Sequence, residues 1–144
     1  MINEEKTIEI LQRVSLFQGL KKRQLSSLAR SFVERSCVAD EVIIAQGRTG
    51  YGFFIVVSGK AEAYRELPDN TKVVVNTFGP GDFFGELALL DDGPRTATVV
   101  ATEAAECLIL PHESFMGLLK RDAEMSVAIL TELARRFRMA MDRL

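Results

Sequence analysis

The stretch FGELALLDDGPRTATV, residues 84–99, is the most informative part of this chain. A Gly85-Glu86 turn precedes four apolar residues, and an acidic loop then leads to Arg95, Thr96 and a β-branched run. Glycine lets a backbone approach a ligand closely, and one helical turn that begins after it directs N–H groups at that ligand. The arginine fork and the threonine hydroxyl suit phosphate oxygens. The stretch therefore predicts an anion-binding cradle.

Glu86 looks misplaced in a site for phosphate, because like charges repel. Its carboxylate fits the same cradle if it accepts a hydrogen bond from a neutral hydroxyl, as a sugar beside the phosphate offers. Together these residues predict a ligand in which one phosphate is joined to a ribose.

The whole stretch resembles the phosphate-binding cassette of the cyclic-nucleotide-binding domain family, whose pattern is F-G-E-(L)-A-(L), a variable loop and P-R-(S/T)-A. The matching residues are Phe84, Gly85, Glu86, Leu87, Ala88, Leu89, Pro94, Arg95, Thr96 and Ala97. The resemblance implies that Glu86 binds the ribose 2′-hydroxyl and that Arg95 binds the cyclic phosphate. Thr96 and the N–H groups near Ala88 and Ala97 would complete the phosphate shell. A β-hairpin turn with an incidental Arg and Glu is the alternative interpretation.

A second part of the family pattern lies upstream of the cassette. Its glycines and its I-V-x-x-G segment are matched by Gly47, Gly50, Phe54-Ile55-Val56 and Gly59. Tyr51 departs from the pattern, because an acidic residue usually follows the second glycine. The resemblance extends from Leu16 to the C-terminus.

Composition is that of an ordinary globular domain: 144 residues, 47% hydrophobic and 26% charged, with a net charge of −2. This charge gives no overall attraction to nucleic acid or to an anionic membrane, and no apolar run approaches the roughly 20 residues that span a bilayer. The N-terminus lacks the layout of a signal peptide. Cys37 and Cys107 lie far apart in strand-like sequence. We therefore expect a cytoplasmic protein with two buried thiols and no disulfide.

Helical patterns flank a strand-rich middle. Asn3 predicts the N-cap of a short helix that runs to about Arg13. A second helix is indicated by the spacing of Leu25, Leu28, Ala29 and Phe32. Short β-branched or aromatic runs broken by glycine follow, which is typical of a sandwich or barrel. We expect one domain over residues 1–144: helices at 3–32, an antiparallel, jelly-roll-like β-roll of about eight strands at 33–111, and helices at 112–144.

The last helix is predicted to begin after an Asp122 cap and to continue to Leu144. Its apolar residues recur at a/d heptad spacing, namely Val127, Leu130, Ala134, Phe137, Met141 and Leu144. This stripe packs either on the chain's own β-roll or against a second copy. Two-fold pairing of identical helices is common, and the resemblance implies the same. We therefore expect a homodimer through this helix.

Catabolite-activator-like regulators of the family carry A-R-R-(L) in the corresponding helix, and the second arginine reaches toward the ribose-binding glutamate. Residues 134–137 match apart from Phe137, so the resemblance implies that Arg136 pairs with Glu86. Those regulators continue into a helix-turn-helix and this sequence does not. We therefore expect no DNA binding by this chain.

Recognition of the base has a weaker signal. The positions whose hydroxyls touch adenine in those regulators correspond here to Ala140 and Met141. Recognition is then expected to rest on apolar contacts, with Val75 and Phe78 as the candidates. Thr96 is compatible with cGMP, because a threonine hydroxyl can bind the guanine amino group.

Other candidate functional residues give no catalytic site. His112 is the only histidine and is expected to have a surface or capping role, so neither a metal site nor a nucleophilic triad can be assembled around it. Asp91-Asp92 is expected to form a solvated turn. These residues predict no enzyme, no catalytic residue, no metal and no cofactor.

The sequence thus predicts a non-catalytic sensor of cAMP, with cGMP as second candidate. Its C-terminal helices would move about a hinge within residues 112–122, because a ligand shifts a conformational equilibrium only through differential affinity. Two alternatives remain open. One is a dimerisation or scaffold module with a vestigial pocket, which would bind no cyclic nucleotide; the other is an enzyme, which would turn the nucleotide over.

Overall fold

The computed structural model describes residues 3–49, 52–91 and 93–144. Gly50 and Tyr51 of the upstream glycine pattern and Asp92 of the acidic loop lie outside the described residues. The chain divides into a helical unit, residues 1–31 with 113–144, and a β unit, residues 32–112.

The described part of the chain contains four α-helices, namely α1 (Glu4–Leu11), α2 (Lys22–Arg30), α3 (His112–Arg121) and α4 (Ala123–Met141). Asn3 caps α1 as predicted, since its side chain accepts a hydrogen bond from the Lys6 N–H at 2.9 Å. The helix ends at Leu11, two residues before the predicted end. No helix in the described ranges is long and apolar enough to cross a bilayer.

The predicted end of the second helix is wrong. Helix α2 ends at Arg30, so Phe32 is not helical although its spacing fits the helix. Its ring instead packs edge-on against Phe53, with the ring centroids 6.1 Å apart. This tertiary contact outweighs the local periodicity, which is a weak constraint at the end of a helix.

Helix α4 turns an unexpected face inward. Asp122 caps it as predicted, accepting a hydrogen bond from the Met125 N–H at 3.0 Å, and the helix ends at Met141 rather than at Leu144. Met125, Ile129 and Glu132 are its buried residues. The predicted heptad stripe is exposed in the single chain: the exposed fractions are 60% for Val127, 64% for Leu130 and 67% for Phe137.

The β unit confirms the predicted antiparallel β-roll. Its described residues form eight strands: β1 (Val33–Cys37), β2 (Val42–Ile44), β3 (Gly52–Ser58), β4 (Ala61–Glu66), β5 (Lys72–Phe78), β6 (Phe83–Phe84), β7 (Thr98–Ala101) and β8 (Ala105–Pro111). They pair in two antiparallel four-stranded sheets with the orders β1-β8-β3-β6 and β2-β7-β4-β5. Residues of both sheets contribute to one apolar core.

Aromatic packing connects this core to the cassette. The Phe84 ring stacks on Phe54, with centroids 5.0 Å apart and planes 6° from parallel. On the opposite sheet Phe78 lies 4.8 Å from the same ring. Offset or tilted aromatic pairs of this kind add about 0.5–1.5 kcal/mol to simple burial. The residue that opens the cassette is therefore fixed by both sheets.

The two cysteines are free and buried, which confirms the predicted thiols. Cys37 lies on β1 and Cys107 on the adjacent strand β8. Burial raises the pKa of Cys107 to about 11, so its thiol stays protonated near neutral pH. Since the thiolate is the reactive form, these residues act as small apolar side chains of the core.

Candidate functional site

The cassette begins with a left-handed glycine. Gly85 has φ 87° and ψ 20°, and Glu86–Leu89 then form one turn of 3₁₀ helix, which we call the cassette turn. The sequence predicts such a helical turn from Glu86. Its first internal hydrogen bond runs from the Ala88 N–H to the Gly85 carbonyl at 3.1 Å. The N–H groups ahead of this bond, at the open end of the turn, are those of Glu86 and Leu87.

Arg95 is held by its side chain and by its backbone. Its Nη2 donates a hydrogen bond to the Gly52 carbonyl at 2.8 Å. Its backbone N–H donates to the Arg48 carbonyl at 2.9 Å, and its own carbonyl accepts from the Gly47 N–H at 2.8 Å. The guanidinium is half-buried. The position of this cation is therefore set by Gly52, the first residue of β3, and by Gly47 and Arg48.

Two glycines make this arrangement possible. A Cβ on Gly85 would lie 2.7 Å from the Gly52 carbonyl oxygen and 2.9 Å from Arg95 Nη1. A Cβ on Gly52, whose φ is 143°, would lie 2.1 Å from the Leu110 carbonyl oxygen. Side chains cannot approach a backbone atom so closely, and such φ values favour glycine. The sequence does not indicate the role of Gly52, because this role depends on β8, which lies far away in the chain.

An open cleft of about 420 Å³ brings most of the predicted residues together. It is lined by Gly85, Glu86, Leu87, Ala88, Asp91, Gly93, Pro94, Arg95 and Thr96. A smaller adjoining cavity of about 200 Å³ shares Gly85, Arg95 and Thr96 and adds Ile44, Ala63, Phe78, Phe84, Ala97 and Val99. Sites for small molecules usually measure about 300–1,000 Å³, so the cleft has a suitable size.

The charged side chains lie mainly in the larger of the two cavities. Arg95 is the one cation among the described residues that line them, and it faces the same cleft as the carboxylates of Glu86 and Asp91. Glu86 is half-buried, whereas Asp91 is exposed, as expected for a solvated turn. The smaller cavity is mainly apolar and contains the rings of Phe78 and Phe84. The site therefore combines one cation, one half-buried acceptor and an apolar wall.

Two predicted site residues line neither of these cavities. Val75 is 49% exposed on β5 and lines neither cavity. Arg136 is half-buried on α4 and lines a cavity of the helical unit, about 310 Å³, with Ser15, Glu132, Arg135, Met139, Ala140 and Arg143. The contact of Val75 with a base and the pairing of Arg136 with Glu86 stay predictions.

His112 has a more specific environment than the sequence indicates. It is half-buried, and its Nδ1 lies 2.8 Å from the Leu89 carbonyl oxygen and 3.3 Å from that of Ala88. The ring therefore sits at the C-terminal end of the cassette turn. No group of three or more potential metal ligands occurs among the residues that the structure describes.

Comparisons with known proteins agree on one family. The family model for the cyclic nucleotide-binding domain matches residues 34–122. The chain is 29% identical over 130 residues to the CRP-like cAMP-activated global transcriptional regulator of Mycobacterium tuberculosis, covering 90% of this chain and 58% of that protein. It is 38% identical over 111 residues to the cAMP-dependent protein kinase regulatory subunit of Colletotrichum orbiculare, covering 77% of this chain and 28% of the subunit.

A solved structure gives the same answer for the fold. The N-terminal domain of a transcriptional regulator from Streptomyces coelicolor A3(2) superposes with a TM-score of 0.82 at 32% identity, covering 92% of this chain and 95% of that one. The chain thus spans nearly all of that separate domain, whereas it spans 58% of the Mycobacterium regulator.

We predict that Gly85→Ala destabilises the protein more than Gly47→Ala does. Both glycines have a positive φ, 87° and 83°, so each alanine costs about 1–2 kcal/mol of unfolding free energy. Nothing lies within 4 Å of a Cβ on Gly47, whereas a Cβ on Gly85 meets Gly52 and Arg95. This overlap adds about 1–3 kcal/mol. Urea unfolding measures both values, and equal losses would contradict the close packing around Gly85.

Proposed function

Because this chain belongs to the cyclic nucleotide-binding domain family, we propose that it binds a cyclic purine nucleotide, cAMP first and cGMP second, and releases it unchanged. The observation that carries the proposal is that a half-buried cation, a half-buried carboxylate and the open end of the cassette turn share one cleft. A ribose with a cyclic phosphate offers one anionic group and one hydroxyl to such a cleft.

In this proposal Arg95 binds the cyclic phosphate. A guanidinium donates several hydrogen bonds in one plane, and Nη2 already donates to the Gly52 carbonyl, which fixes the plane. The N–H groups of the cassette turn and near Ala97, together with the Thr96 hydroxyl, complete the phosphate shell. Helix N-termini favour anions in the same way. In this proposal the cation and the turn thus bind the same anionic group.

Glu86 is proposed to accept a hydrogen bond from the ribose 2′-hydroxyl. It lines the cleft beside Arg95, at the start of the cassette turn. A carboxylate that faces a neutral hydroxyl gains a charge-assisted hydrogen bond, whereas one that faces the phosphate would be repelled. The base would then lie toward the apolar cavity that contains Phe78, with Val75 as a further contact.

We propose that the nucleotide is a signal and not a substrate. The described residues that line the two cavities include no histidine, cysteine or lysine. The proposal requires no second substrate or cofactor beside the nucleotide. Signalling would then consist of a movement of α3 and α4 between bound and free states. Recovery of unchanged cAMP after prolonged incubation tests this point, and its hydrolysis would favour an enzyme.

We also propose that the chain forms a homodimer through α4. The exposed stripe that contains Val127, Leu130 and Phe137 continues with Ala134 and Met141 at heptad spacing, and the exposed Leu144 follows beyond the end of the helix. Large apolar side chains in a contiguous exposed row mark an interaction surface in a soluble protein. A second copy presents the same row, so the surface is self-complementary about a two-fold axis.

Arg95→Ala is expected to weaken cAMP binding by a factor of tens or more. Removing a charge-assisted partner of a desolvated phosphate costs about 2–5 kcal/mol. Isothermal titration calorimetry measures the affinity. The control is Arg65→Ala, which removes an exposed arginine of β4 and should leave the affinity unchanged. Equal affinities of folded Arg95→Ala and wild-type protein would overturn the assignment.

The role of Glu86 is tested with 2′-deoxy-cAMP. We expect the wild type to bind this analogue more weakly than cAMP, and the penalty to shrink in Glu86→Ala, because the partner of the missing hydroxyl is gone. Asp91→Ala removes another carboxylate of the same cleft and should keep the full penalty. If the penalty is the same in Glu86→Ala and in the wild type, Glu86 does not bind the ribose.

The dimer is tested by replacing Leu130 and Phe137 together by glutamate. This variant places like charges on both copies of the seam and should sediment as a monomer. Met139→Glu is the control, since Met139 is an exposed apolar residue of α4 that lies outside the stripe, and it should remain dimeric. A wild type that sediments as a monomer at tens of micromolar, with and without cAMP, would exclude the seam. A dimer that binds no cyclic nucleotide would favour a scaffold module.

A further inference from the structure

The imidazole of His112 bonds the end of the cassette turn opposite to the proposed phosphate. Its Nδ1 lies 2.8 Å from the Leu89 carbonyl oxygen and 3.3 Å from the Ala88 carbonyl oxygen. A carbonyl oxygen only accepts hydrogen bonds, so Nδ1 carries the proton. The last carbonyl groups of a helical turn have no partner within the turn. The imidazole supplies that partner and fixes where the turn ends.

The backbone of the same residue lies beside the glycine that holds Arg95. Gly52 pairs with Pro111 across β3 and β8, and a Cβ on Gly52 would be 2.9 Å from the His112 nitrogen. The carbonyl of Gly52 accepts the hydrogen bond from Arg95 Nη2. His112 is therefore connected to the cleft by two sets of contacts. Its side chain contacts the cassette turn, and its backbone lies beside Gly52, which binds Arg95.

The position of His112 in the chain relates these contacts to α3. His112 is the last residue of the β unit and the first residue of α3. Any ligand that shifts the cassette turn or the guanidinium therefore changes the constraints on the residue from which α3 starts. His112 can transmit such a shift to α3 only if its hydrogen bond differs between the ligand-bound and the free state.

We propose that His112 is a positioning residue that transmits nucleotide occupancy from the cassette turn to α3. This role depends on the hydrogen-bond donor at Nδ1 and not on the packing of the imidazole ring. The inference rests on the proposed function for its ligand, but the hydrogen bond at its centre exists without one. It assigns a specific task to a residue for which the sequence indicates only a surface or capping role.

The first test begins with the protein alone and then adds cAMP. His112 is the only histidine, so the imidazole nitrogen signals of a ¹⁵N-labelled sample belong to one residue. At a pH where the ring is neutral, we expect the tautomer protonated at Nδ1, and we expect its signals to move when cAMP is added. A ring protonated at Nε2, or signals that do not move on saturation with cAMP, would overturn the proposal.

The second test compares two amides. In His112→Asn the side-chain NH₂ takes the place of Nδ1, whereas in His112→Gln it corresponds to Nε2. The quantity to measure is the hydrogen-exchange rate of the backbone amides of residues 113–121, with and without cAMP. The change in exchange rate on binding should persist in His112→Asn and should fall about fivefold in His112→Gln, the factor that corresponds to one hydrogen bond of about 1 kcal/mol. Glu113→Gln, an exposed neighbour, is the control and should respond as the wild type does.

The outcomes separate this proposal from the proposed function. Calorimetry should give cAMP affinities within a few-fold of wild type for both variants. A response of His112→Gln equal to that of the wild type, or equal loss in both variants, would overturn the role of the Nδ1 donor while leaving nucleotide binding intact. If the wild type binds neither cAMP nor cGMP, the proposed function fails and the transmission role fails with it. Should a variant not fold, the ¹⁵N signals of the wild type still decide.

Discussion

The hydrogen bond from the Arg95 guanidinium to the Gly52 carbonyl is the constraint on which the site depends. A half-buried cation must be paired or solvated, and the choice of partner determines what charge remains for a ligand. A carbonyl orients the guanidinium as well as a carboxylate does, yet it carries no net charge. The bond to Gly52 therefore orients the guanidinium without placing a negative charge beside it. The missing side chain of Gly85 leaves room for this 2.8 Å contact, because a Cβ there would lie 2.7 Å from the Gly52 oxygen and 2.9 Å from Arg95 Nη1.

The cassette is anchored in the core of the β-roll rather than attached to its surface. Phe84, the first residue of the motif, lies between Phe54 of one sheet and Phe78 of the other. Both pairs are part of the apolar core, so the start of the cassette moves only if the packing of two sheets changes. The same Phe78 also lines the smaller cavity. The core and the wall of this cavity thus share residues.

Local signals in the sequence were sufficient for the architecture and for most of the cleft. The Asn3 and Asp122 caps, the glycine-broken strands and the turn after Gly85 depend on neighbours within a few residues, and the structure has them as predicted. What could not be predicted depends on distant neighbours. Gly52 meets Arg95 across 43 residues and His112 meets Leu89 across 23, and no periodicity encodes either contact. Glu132, 7% exposed where helical spacing calls for an apolar residue, is explained by its ion pair with Arg135 at 2.8 Å.

The buried face of α4 ends at the polar residue Glu132, so tertiary contacts stabilise the two halves of the helix to different extents. The first half is anchored by Met125 and Ile129, whereas after Glu132 every residue of the helix is half-buried or exposed. A helical segment of about three turns is marginal in water without tertiary contacts. The helicity of the last turns therefore depends on what covers them. If α4 pairs with a second copy as proposed, the helical content of its terminal part should rise with protein concentration.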